Sequence, residues 1–593
     1  MPSLFRCLIP ICLLASSHCA FADSASESFK RLVSDEWAWQ LREHPEFATY
    51  TGAPGGNDRW SDVSRAAIEA RKAHARELLE QVRAIDRAQL ALEERMNYDL
   101  FRKDAEDTVE GQRFPSDLLP LNQLTGVQQD LPQTLVNAPA RTVKDYEELV
   151  ARIAASGARI DQETALMQWG LELNLTPPAI SIRDVPDQVK SQIVDDPMLS
   201  PMLVPFTQMP DSIPVTERER LKAAAQKAYT ENTRPAFQRM HTFLLNDYLP
   251  KARETIALTA LPDGEAWYAY NVRTTTTTSL TPKQIHELGL SEVKRIRAEM
   301  DAVIVDSGFQ GNFVEFCDML RVDPKFYFTD KEALLRAYRD VAKRIDPELP
   351  KLFGKLPRLT YGVLPVPEYA EQSQTTAYYM PGSPRAGRPG NFFANTYKLE
   401  TRPIWEMESL TAHEAVPGHH LQIALAQELE NVPEFRRWSG PTAFVEGWGL
   451  YAESLGGEIG LYQDPYSKFG RLTYEIWRAI RLVVDTGMHS MGWTRQQAID
   501  YFAANTGRQL HDITVEVDRY IVWPGQALAY KIGELKFKEL RARAQSALGE
   551  KFDLRAFHDA CLENGAIPLD VLDAHISDWI EQQKNTGVAT AWR

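Results

Sequence analysis

Pro417 constrains this chain more than any other residue. It falls inside His413-Glu414-Ala415-Val416-Pro417-Gly418-His419-His420, where three of the twelve histidines crowd into eight positions. A regular helix through this octet needs a backbone N–H at 417 to reach the carbonyl of His413. Proline has none, and its ring clashes with that carbonyl. Gly418 adds conformational freedom. The helix must therefore break between Glu414 and His419, and the shape of the break decides what the histidines can do.

Their chemistry points to zinc. Neutral imidazoles are good zinc ligands, and a carboxylate beside the first can act as general base toward water on the ion. In an HExxH helix the two histidines lie one turn apart on one face. Proline at 417 defeats that spacing, so a kink has to carry a later histidine back to His413. His420, seven residues on, keeps roughly the same face. His419 follows a glycine and gains from the kink. The residues leave both open as the second ligand. Downstream, Phe444, Trp448, Tyr451 and Leu455 form a helical apolar stripe, while Glu446 and Glu453 share another face. Burying carboxylates is costly unless a cation offsets them. Glu446 is therefore expected as third ligand, Glu453 as the hydrogen-bond partner of a ligand histidine, and one Zn2+ per chain.

Around this motif the texture is helical. Residues 62–105, 141–173 and 216–257 carry apolar positions three and four apart. Thr281-Pro282-Lys283-Gln284, Thr329-Asp330-Lys331-Glu332 and Thr494-Arg495-Gln496-Gln497 read as helix starts. Strand-like runs appear only at 359–361, 375–379 and 392–397, with a Pro- and Gly-rich loop at 381–390 expected to be mobile. The expected class is mainly α with one small antiparallel sheet. The run Thr274–Thr278 suggests a seam between an N-terminal helical half, 23–275, and a catalytic half, 276–593.

Composition excludes alternatives. With 44% hydrophobic and 25% charged residues the chain is neither disordered nor fibrous. A formal charge of -15 argues against nucleic acid as a partner. Residues 1–22 read as a signal peptide, with Arg6, an apolar run from Cys7 to Ala15 and Ala20-Phe21-Ala22 before Asp23. The product is expected to be secreted, periplasmic or extracellular. Ser17-His18 before Cys19 is a poor lipoprotein box, and no later stretch is long and apolar enough to span a membrane. Cys317 and Cys561 remain after cleavage, either paired or as two buried thiols; neither belongs to a CxxC, which excludes a thiolate zinc site.

The motifs together resemble a bacterial domain-of-unknown-function family marked by HExxPGHH followed by EGWxLYAE and grouped with the gluzincin metallopeptidases. The resemblance runs through Leu280-Thr281-Pro282 with Ile285–Gly289, His413–Gln422, Glu446–Glu453, Arg519-Tyr520 and Pro524–Tyr530. It implies a multi-helix zinc-peptidase fold with a channel between two halves. It also implies cleavage of short or unfolded peptides by a metal-bound water, with Glu414 as general base. Tyr530 and Tyr520 are then candidates for stabilising the oxyanion. Arg519 is a candidate for holding a substrate carboxylate with its planar fork, and His511 a further late candidate. The 392–397 strand could bind substrate by edge pairing. Two other functions fit the same residues: a zinc hydrolase of a non-peptide amide or ester, and a periplasmic protein that binds zinc or peptide without turnover.

Overall fold

The computed structural model describes residues 24–368, 371, 375–438 and 440–585, so the leader expected at 1–22 lies outside it. The expected helical stretches form. Residues 65–83 and 92–111 are helical, followed by α1 (Val127–Asn137) and the long α2 (Val143–Glu172). Thr142 starts α2 with a reciprocal capping box to Asp145. A core built wholly from residues between Trp60 and Tyr248 packs α1 and α2 together.

The expected seam is a turn. α3 (Gly264–Thr276) ends where Thr277 adopts φ 51°, and Thr281 opens α4 (Pro282–Asp306) with a capping box to Gln284. The next start shifts by one residue. α5 (Lys331–Ile345) is capped by Asp330, which accepts from the Ala333 N–H, rather than by Thr329. Aspartate is the stronger cap of the two. One hydrophobic core runs from Ile68 through Trp267 and Trp448 to Ile580 and so joins both sides of the turn. Another has its buried residues, from Val293 to Ala527, on the second side, with Ile180 and Ile256 of the first packed against it. Where the two sides meet there is a cavity of about 860 Å³, walled by Lys72, Trp267 and Tyr270 from one and Trp523 and Gln526 from the other.

The sheet forms in the expected region but is mixed, not antiparallel. Its strands are β1 (Tyr361–Pro365), β2 (Ala377–Met380) and β3 (Gly390–Ala394), in the order β1-β3-β2. β3 returns between the other two, antiparallel to β2 and parallel to β1, with Phe392 opposite Val363 and Tyr379. This corrects the edge-pairing expectation too. β3 is hydrogen-bonded on both sides, so the edges open to another chain belong to β1 and β2. The 381–390 loop is docked rather than free. Ser383 and Arg388 exchange backbone hydrogen bonds, and the Ser383 hydroxyl donates to the carbonyl of Thr51.

After the sheet come α6 (Met407–Glu414), α7 (His419–Gln427), α8 (Thr442–Leu455), α9 (Pro465–Ser490), α10 (Leu510–Val522) and α11 (Ala529–Leu548). The aromatic stripe on α8 is buried as expected, Trp448 packing edge-on against Phe537 of α11. Among the described residues no helix is long and apolar enough to cross a membrane. Cys317 and Cys561 are both free and buried.

Candidate metal centre

Pro417 breaks the helix where its chemistry demands. α6 stops at Glu414. Ala415 still donates to the carbonyl of Thr411 at 2.9 Å but takes φ −99° and ψ −108°. α7 restarts at His419, and the His420 N–H bridges the gap to the Ala415 carbonyl at 3.0 Å. Trp448 of α8 clasps the break, its indole N–H donating to the Pro417 carbonyl at 2.9 Å. Glycine is required at two positions here. A Cβ on Gly418 would strike the carbonyls of Ala412 and His413, and one on Gly449 would lie 2.8 Å from the His413 ring.

The break folds His419 back against His413, ring centroids 4.7 Å apart and planes at 84°. Opposite them, Glu446 of α8 places Oε2 3.5 Å from His413 Nε2 and 3.4 Å from His419 Nε2. One ligand atom from each of the three residues fits within 4.8 Å of the others. Bonds of about 2.0–2.1 Å to a tetrahedral ion separate neighbouring ligand atoms by about 3.4 Å.

The hydrogen-bonding pattern tests whether an ion fits. His413 Nδ1 lies 2.8 Å from Glu453 Oε1, and Glu453 Oε2 accepts from the Ser409 hydroxyl at 2.7 Å. With its proton directed to Glu453, a neutral His413 turns a lone pair from Nε2 toward Glu446. Glu446 Oε2 is buried without a hydrogen-bond partner. Acceptors converging in this way need a cation between them. The electrostatics agree. Burial lowers the pKa of His413, but Glu446 and Glu453 outweigh it and raise it to about 9. Burial raises that of Glu446, and His419 and His413 outweigh it and hold it far below the carboxylate range. The residues fit a divalent metal.

His420 goes elsewhere. Its Nε2 meets the carbonyl of Leu359 at 3.0 Å and its Nδ1 meets the Tyr379 hydroxyl at 2.9 Å. Burial pushes its pKa down to about 4, so it is neutral near pH 7. Both nitrogens are occupied, and the ring ties α7 to the sheet. Glu414, half-buried at the end of α6, is near enough to push up the pKa of both His413 and Tyr338.

The late residues fall into different environments. The Tyr520 hydroxyl is buried and accepts from Trp477 Nε1 at 3.1 Å and Arg481 Nε at 3.0 Å. Burial raises its pKa, and Glu516 adds to this. The Tyr530 hydroxyl accepts from Arg519 Nη2 at 3.1 Å, which leaves its own hydrogen to donate. Arg519 is committed to Tyr530 and, at 3.1 Å, to Gln526 Oε1. His511 is on the surface. Arg478 connects this group to the cluster, with Nη2 3.8 Å from Glu453 and its guanidinium 6.0 Å from the Tyr530 ring. Arg481 lies 4.3 Å over the same ring. Arg478, Arg481, Ser409 and Tyr379 were not anticipated. Each is an ordinary residue within its helix or strand, and only the packing gives it a place.

Fold and site together define a mainly helical protein with a buried His-His-Glu cluster. The chain belongs to the family of bacterial proteins of unknown function designated DUF885, whose model matches residues 45–576. It is similar to the crystal structure of a protein from Colwellia psychrerythraea provisionally described as a lipoprotein. The two share 26% identity at a TM-score of 0.90, over 94% of this chain and 100% of that one. A chain from Shewanella oneidensis, provisionally described as a lipoprotein of unknown function, shares the fold at 18% identity and a TM-score of 0.66, over 93% of this chain and 99% of that one. No curated protein matches the chain.

Proposed function

We propose that the chain is an exported zinc-dependent peptidase acting on short or unfolded peptides. The observation that carries this reading is the Glu446 carboxylate oxygen, buried without a hydrogen bond and aimed at two imidazole nitrogens, with Glu414 next to the first. His413, His419 and Glu446 would hold the ion, and His420 would serve as a tether between α7 and the sheet. Zinc at such a site polarises a carbonyl and makes water a better nucleophile at neutral pH.

The chain's own residues supply the rest. Glu453 and Ser409 orient the His413 ring, and Trp448 holds the break. Glu414 takes the proton of the attacking water and returns it to the leaving amine. Tyr530, its hydroxyl fixed by Arg519, donates to the oxygen that becomes negative. Arg519 in this reading positions Tyr530 instead of gripping a substrate carboxylate, and Tyr520 supports the buried arginine Arg481. The N-terminal half, 23–275, walls a channel whose floor is the second half. Export is supported by the leader pattern at 1–22 and by the provisional description of the Colwellia relative.

The test is a peptide-library digest read by mass spectrometry. The wild-type chain should cleave peptide bonds. Glu414→Gln should keep its metal and lose about 10³-fold in rate. A metal-loaded wild type that leaves the library intact but hydrolyses a simple ester or non-peptide amide would contradict the peptidase reading.

A further inference from the structure

Asp485, near the end of α9, is fully buried. No lysine or arginine pairs with it among the described residues, and its partners are two neutral donors. The Tyr268 hydroxyl of α3 donates to Oδ1 at 2.6 Å, and the Gly525 N–H lies 3.1 Å from both carboxyl oxygens. Burial pushes its pKa up to about 7 against the pull of both bonds. A carboxyl in such surroundings is costly to keep, and these hydrogen bonds are what offsets the cost. The mechanism above makes no use of it.

What the carboxyl grips is a turn with two outputs. Pro524 and Gly525 occupy the centre of a turn closed by the Gln526 N–H on the Trp523 carbonyl at 3.1 Å, and Gly525 takes φ 88°, in the left-handed region that glycine tolerates. From there the chain runs through Gln526–Leu528 into α11, whose second residue is Tyr530. The side chain of Gln526 meanwhile accepts from Arg519, and Arg519 donates to the Tyr530 hydroxyl. The turn therefore sets the backbone and the hydroxyl of Tyr530 together. Further along α11, a Cβ on Gly533 would strike the Ala443 carbonyl and Gly447 of α8, so close contact beside Glu446 fixes the body of the helix independently. What Gly525 governs is its first turn. The first half of the chain reaches the same point. Besides Tyr268, Asn271 of α3 donates through Nδ2 to the Pro524 carbonyl at 3.2 Å, and Asn271, Pro524 and Gln526 all wall the cavity of about 860 Å³.

We propose that Asp485 is a positioning residue for Tyr530: it ties the Pro524-Gly525 turn to α3 and so fixes the first turn of α11 and, through Gln526 and Arg519, the tyrosine hydroxyl. The donor role of Tyr530 rests on the peptidase reading; the hold on the turn does not. The full-length wild type, Asp485→Asn, Tyr530→Phe and their combination are compared in steady-state peptide cleavage, with hydrogen–deuterium exchange followed on the same samples. Asp485→Asn, which removes one of the two acceptor oxygens, should lower kcat about tenfold at nearly unchanged KM. In the Tyr530→Phe background the same substitution should cost less than about twofold, because residues acting as one unit are not additive. Exchange should quicken over residues 523–530 and not across α8 and the rest of α11. Should Asp485→Asn fail to fold, Tyr268→Phe, which removes one of the two donors, makes the same comparison. Equal losses of kcat in both backgrounds, a rise in KM alone, or exchange at 523–530 that stays at the wild-type rate would overturn the proposal. A wild type that cleaves no peptide would sink the peptidase reading alone, and exchange at 523–530 then decides the positioning.

Discussion

The metal cluster and a second cavity, of about 550 Å³ between the N-terminal helices and the far end of β2, bury charge in opposite ways. In the first, two carboxylates press on two imidazoles over a span of 41 residues, from His413 to Glu453, held on three short helical segments. In the second, the carboxylates of Glu46, Asp130 and Glu163 share a wall with Arg71, Arg159 and Arg388, drawn from segments spread over most of the first two-thirds of the chain. The metal cluster draws positive charge to itself. His413 is driven toward protonation and Glu446 away from it. In the cavity wall, burial, with Asp130 and Glu46 near, drives Glu163 toward the neutral acid against the pull of Arg159. The contrast is between a candidate metal centre that draws positive charge and a wall that raises the pKa of one of its carboxyls.

The largest effect that sharpens this contrast is on rate. Tyr530→Phe should lower kcat by about 10²-fold with metal retained, as loss of one oxyanion donor does. Tyr520→Phe should chiefly lower stability, by about 1–3 kcal/mol, because it strips a buried acceptor from Trp477 and Arg481. Steady-state kinetics beside thermal unfolding distinguish them, and equal losses of kcat would erase the difference in role. Next comes Glu453→Gln, which should weaken metal affinity about 10–100-fold by loosening the hold on His413 Nδ1, read by competition with a chelator. Unchanged affinity would make Glu453 a packing residue.

The smallest effect belongs to the cavity. The folded chain holds a proton on Glu163 that the unfolded chain releases near the ordinary glutamate value, 4.5. The associated stability is fully present below that value and falls as pH rises through about 7. Glu163→Gln should therefore flatten part of the loss of unfolding free energy between these pH values. An unaltered pH profile would remove Glu163 as its source.

Legibility followed the same division. His413 and Glu414 could be named as candidates from their adjacency in the histidine cluster, and Glu446 from sharing a helix face with Glu453 seven residues on, while Pro417 announced its own break. The choice between His419 and His420 could not be read, since it depends on backbone angles at Ala415 and Gly418 and on Leu359 and Tyr379 reaching His420 from the sheet. The mixed sheet escaped notice because three short runs look alike whichever lies in the middle. The cavity carried no local signal at all: Asp130 and Glu163 sit in amphipathic helices where an acidic residue is usually a solvated one.

The central claim is that His413, His419 and Glu446 hold one metal ion. The most direct measurement is metal content per chain, by mass spectrometry of purified wild type and of the His419→Ala, His420→Ala and Glu446→Ala variants. The account predicts one zinc in the wild type and in His420→Ala, and loss of zinc from His419→Ala and Glu446→Ala with the fold intact by circular dichroism. Zinc retained in His419→Ala or Glu446→Ala but lost from His420→Ala, or a folded wild type without stoichiometric metal, would contradict it.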